Sequence, residues 1–139
     1  MSLDKVKIKA RFEDIQKAID RLSEFTKIDK NSFLSNEDFI HIARSHLLIA
    51  SEASINICYH IAAKRLKRAP AEYSSCFELL QRHKLISEEL ALHLIKLIGL
   101  RNRMVHRYEE IDYGFIYDNF KEIIENFRKL INEVSSLII

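Results

Sequence analysis

Apolar residues recur at spacings of three and four along most of this chain, and that period decides the secondary structure before anything else is considered. Over about residues 3 to 27, Ile8, Phe12, Ile15, Ile19, Leu22 and Phe25 fall on one face with charged residues between them, the mark of an amphipathic helix. A polar connection over residues 27–32 follows, and Ser35 three residues before Asp38 predicts a capped start for a second helix. That helix, about 36 to 67, is apolar on nearly every side, so it is expected to be central or to face a second subunit. Pro70 is expected to end it, because proline cannot extend a helix and biases the residue before it away from helical angles. A short third helix is predicted at about 72 to 83 and a fourth at about 88 to 107, with Ser87 as N-cap and Glu88 and Glu89 in its first turn. A fifth, about 113 to 136, opens on Asp112 and carries the stripe Ile116, Phe120, Ile123, Ile124, Phe127, Leu130, Ile131 and Val134. The sum is an all-α, up-and-down bundle of four long helices and one short one, in a single domain spanning residues 1–139.

Composition agrees with long helices and few turns, since the 139 residues include two Gly, one Pro and no Trp, with 47% hydrophobic and 30% charged. The net charge of +2 is too small for wholesale coating of nucleic acid, although residues 64–68 and 101–107 are locally basic. Residues 64–68 fit a solvated, dipole-compatible helix end better than an RNA-tracking patch. Cys58 and Cys76 lack paired-thiol or zinc-type spacing and are read as reduced thiols of a cytoplasmic protein. Lys5, Lys7, Lys9 and Arg11 interrupt the N-terminal apolar residues, so neither a signal peptide nor a membrane span is expected.

The candidate chemistry is concentrated in residues 101–108, where Arg101, Asn102, Arg103, His106, Arg107 and Tyr108 crowd an element boundary. On a straight helix Asn102 and His106 lie within about 40° of each other, but Arg101 and His106 are about 140° apart. Either the last turn unwinds, or the long Arg101 side chain reaches round, or a second copy completes the site. If Arg101 and His106 converge, the pair suits RNA cleavage. A histidine titrating near neutrality moves the proton of a ribose 2′-hydroxyl or of the leaving oxygen, and a guanidinium holds the phosphate oxygens as charge builds. That chemistry needs neither metal nor cofactor. Asn102 is a candidate for orienting His106 or, with Arg103, for binding phosphate. Glu52, Asn56 and His60 recur every four residues on the second helix and are candidates for lining the cleft opposite the motif, or for a buried polar network. A metal site combining His46, His60 and Glu52 is disfavoured, because no two histidines stand one helical turn apart. His41, His83 and His93 are read as surface or boundary groups.

The run Arg101-Asn102-Arg103-Met104-Val105-His106-Arg107-Tyr108-Glu109-Glu110-Ile111-Asp112 resembles the signature of the HepT-like family of the HEPN superfamily, Arg-x4-His-x-Tyr. The likeness extends to an apolar second helix with Arg44, Glu52 and His60 embedded and to a Pro-bearing link leading into Tyr73 and residues 77–80. This resemblance implies a homodimeric, metal-independent endoribonuclease, the toxin of a type VII-like toxin–antitoxin pair. Arg101 and His106 would be catalytic and Asn102 supporting. Tyr108 would be the residue on which a partner minimal nucleotidyltransferase places AMP to silence the toxin. The alternative is a non-catalytic HEPN-type module that docks the nucleotidyltransferase without cutting RNA.

Overall fold

The computed structural model describes residues 3–106 and 110–138. Six α-helices follow in order: α1 (Lys5–Phe25), α2 (Lys30–Leu34), α3 (Glu37–Ile61), α4 (Tyr73–Arg82), α5 (Glu88–His106) and α6 (Tyr113–Ser135), with a π-bonded turn over Ala62–Leu66 after α3. The four long helices α1, α3, α5 and α6 form the bundle, and α3 packs against every other helix of it as well as against α2 and α4. This is the central position that its all-round apolarity requires.

Helix starts are set by short polar side chains that take up orphan backbone N–H groups. Asp112 accepts from Phe115 N at 3.1 Å, and Ser87 Oγ accepts from Leu90 N at 3.2 Å, both as expected. The cap of α3 is Asn36, which accepts from Phe39 N at 3.2 Å, rather than the expected Ser35. Ser35 instead closes α2, a helix that the sequence reading took for part of a polar connection. Asp29 caps α2 through Ser32 N at 3.1 Å, and the five-residue helix exists to insert Phe33 into the core. The bundle thus carries two short helices, not one.

The helical run that begins with α3 ends at Leu66, in line with the expected stop near residue 67 ahead of Pro70. After the π-bonded turn the chain reverses at Lys67, in left-handed conformation with φ of 53°, and the N–H groups of Lys67 and Arg68 both return to Ala62 O.

The core is continuous from Leu3 to Ile138. At one end it is aromatic: Phe120 lies 5.4 Å from Phe33 and 6.1 Å from Phe25, ring centre to ring centre, and Tyr117 flanks both Phe33 and Phe120. Cys58 and Cys76 are free and buried against each other, and burial pushes the Cys58 thiol far above its ordinary range. No described helix is long and apolar enough to cross a membrane.

Candidate active-site cleft

α5 stays helical through His106, and the reason is visible in its last turns: Leu97, Ile98 and Met104 are buried and hold it against the bundle. Unwinding before His106 therefore does not bring the motif together. Instead, Arg101, Asn102 and His106 border one open cleft of about 490 Å³, whose other wall is the link into α4, residues 71–74.

Arg101 is the most constrained residue there. Its side chain is 16% exposed, and one edge of the guanidinium lies on Glu52 of α3, with Nε 2.7 Å and NH2 2.5 Å from Oε1. NH1 donates to Asn102 Oδ1 at 3.0 Å, and the ring of Tyr73 lies 5.3 Å beneath the guanidinium carbon. Tyr73 is in turn held edge-on by Tyr59 at 5.9 Å, and Tyr59 OH donates to Pro70 O at 2.9 Å. A guanidinium has five N–H donors, and these three bonds occupy three of them. Among the described residues one N–H on NH1 and one on NH2 remain unengaged, and both are suited to phosphate oxygens.

His106 and Asn102 are exposed at the cleft, one helical turn apart. Arg103 is exposed and does not border it. Tyr108, the expected modification site, lies outside the described residues, as does Arg107.

The three polar residues of the α3 stripe part company. Glu52 reaches the motif, while Asn56 and His60 border a separate cavity of about 370 Å³ between α1 and α3, together with Lys7 and Arg11. His60 has a structural task there: its Nε2 accepts the N–H of Asp4 at 2.9 Å and ties down the start of α1. Burial, assisted by the charge of Lys64, holds His60 below the usual histidine range, which favours the neutral ring that this bond requires. His46 is likewise lowered, by burial first and by Arg21 second. Among the described residues no group of three His, Cys, Asp or Glu side chains is placed to hold a metal ion.

A family model described as ribonuclease HepT-like matches residues 15–134, which take in Glu52, the 71–74 link and the whole motif. The chain belongs to the HepT-like ribonuclease family. It is 26% identical to a tRNA nuclease HepT of Aphanizomenon flos-aquae over 99% of this chain and 94% of that protein. To an mRNA nuclease HepT of Shewanella oneidensis it is 31% identical over 61% of this chain and 64% of that one. Its fold superposes with a TM-score of 0.87 on a tri-AMPylated HEPN toxin of Shewanella oneidensis, solved in complex with MNT antitoxin. That match is 25% identical and covers 94% of this chain and 97% of the other.

Within this HepT-like cleft, Glu72, Tyr73 and Ser74 are wall residues that spacing within residues 101–108 could not point to. A faint signal existed in the aromatic Tyr73 directly after the Pro70 link. Only the packing of α4 on α5 turns it into a site residue.

Proposed function

We propose that this chain is the toxin of a toxin–antitoxin pair, an endoribonuclease that cuts RNA without a metal ion. Family membership supports the class of reaction, and one observation carries the assignment of residues: Arg101, Asn102 and His106 share a cleft in which Arg101 keeps two donors unspent among the described residues. In the reaction, the ribose 2′-oxygen attacks the adjacent phosphorus as its proton passes to a base. The bond to the 5′-oxygen breaks, that oxygen takes up a proton, and a cyclic phosphate and a free 5′-hydroxyl result. The Arg101 guanidinium stabilises the charge on the non-bridging oxygens. His106 serves as base or acid, and since one imidazole cannot be both in the same step, a homodimer places a second His106 for the other transfer. The 2′-hydroxyl makes RNA, not DNA, the substrate.

The same reading takes Tyr108 as the residue that a minimal nucleotidyltransferase AMPylates. Tyr108 follows His106 by two positions in the sequence, and an attached AMP adds bulk and negative charge that would compete with an RNA phosphate. Cleavage of a defined RNA by purified protein in excess chelator tests all of this, with His106→Ala, Arg101→Ala and Tyr108-AMPylated protein alongside. Activity in the native chain and loss in the other three is expected. Equal activity in native and His106→Ala protein overturns the assignment. RNA left intact by native protein that still binds a nucleotidyltransferase tightly would mark a docking module instead.

A further inference from the structure

The π-bonded turn and the bend after it carry Lys64, Arg65, Lys67 and Arg68, and the chain then runs directly into the cleft wall at Ala71. Three residues span at most about 11 Å, so the bend and the cleft rim are neighbours by connectivity alone. The segment is held in place at several points. Lys67 and Arg68 donate their N–H groups to Ala62 O, Arg65 NH2 donates to Leu137 O at 3.0 Å, and Tyr59 fixes Pro70. Lys67 and Arg68 are exposed, and neither has an ion-pair partner among the described residues. Two unpaired cations on an anchored bend at the mouth of a phosphate-binding cleft form a preorganised positive surface.

We propose that Lys67 and Arg68 form an RNA track that holds the phosphates of a single strand on one side of the scissile bond, so that affinity depends on strand length beyond the cut site. The proposal rests on the ribonuclease reading and extends it from the reacting atoms to the strand. RNA is favoured over an acidic protein surface because the bend leads into the cleft itself.

The test uses Lys67→Asn/Arg68→Gln, asparagine being chosen because it tolerates the left-handed conformation. A control pair, Lys17→Gln/Lys121→Gln, removes the same charge from α1 and α6. In a His106→Ala background, binding of a labelled RNA of about twelve nucleotides, within the usual site sizes, is measured against salt. Each lost phosphate contact should flatten the slope of log affinity against log salt by about 0.7, so the track variant should flatten it by about 1.4 and the control by nothing. With His106 intact, the track variant should raise KM and leave kcat unchanged. A slope equal to the control's overturns the track while leaving the nuclease in place. Unchanged RNA binding with weakened nucleotidyltransferase binding would assign the surface to the protein partner. If native protein cuts no RNA and His106→Ala binds none, the ribonuclease reading falls first.

Discussion

Removing Glu52 should separate the stability of the bundle from the readiness of its cleft. In Glu52→Ala, Arg101 loses both bonds to Oε1 and keeps Asn102 and the Tyr73 face. The Glu52 side chain is 45% exposed, so solvent screens the pair and the loss lies nearer to that of a surface salt bridge than a buried one, about 1 kcal/mol. For a chain of this size that lowers Tm by about 3 to 5 °C. The effect on chemistry is larger in proportion, because a guanidinium displaced by about 1 Å costs on the order of a hundredfold in rate. A fall in kcat of about 10- to 100-fold is expected, equivalent to about 1.4 to 2.7 kcal/mol of barrier.

Glu52→Gln distinguishes placement from charge. It keeps an acceptor at Oε1, weakened by about half, and should recover most of kcat. On an Arg101→Ala background, Glu52→Ala should cost nothing further, since its effect acts through Arg101. The assay is single-turnover RNA cleavage beside thermal unfolding of the same preparations. Full kcat in Glu52→Ala together with the expected drop in Tm would refute the idea that Glu52 sets the aim of Arg101.

Three further outcomes follow from the geometry. Phe120→Ala, at 1% exposure among Phe25, Phe33 and Tyr117, should cost about 3 to 5 kcal/mol in denaturant unfolding, and a loss under about 1 would mean that the aromatic end is not close-packed. His60 titrates below 6.5 in the fold, so the unfolded chain binds more protons between the two values and stability should fall as pH drops through that window, levelling off below the folded value. His60→Gln, which can still accept from Asp4, should flatten that part of the Tm profile and leave the share due to His46; an unaltered slope would contradict it. Glu72→Gln removes a carboxylate from the cleft wall and should tighten RNA binding at low salt, an advantage that vanishes at high salt if it is electrostatic.

The bundle was legible in the sequence because its long helices repeat the same apolar period over many turns, and because Ser87 and Asp112 mark two of the starts. The errors occur where that signal has no room. α2 is too short to display a period, so its one core residue, Phe33, passed for part of a loop. The end of the helical run near residue 67 was legible from Pro70, but the left-handed turn at Lys67 that closes it has no Gly or Asn to announce it.

The site was half legible for a related reason. Spacing establishes that Asn102 and His106 share a face, but only tertiary packing shows that Arg101 is turned by Glu52, 49 residues earlier, and that Tyr73 closes the other side. The stripe of Glu52, Asn56 and His60 fails in an instructive way. Each step of four residues advances about 6 Å along the axis and drifts about 40° around it, so the first and third members differ by about 12 Å and 80°. Across a helix in contact with both α1 and α5, that is enough to place Glu52 against Arg101 and His60 at a separate cavity. A shared stripe is evidence of a common site only within about one turn; beyond that, the neighbouring helices decide which cavity each side chain enters.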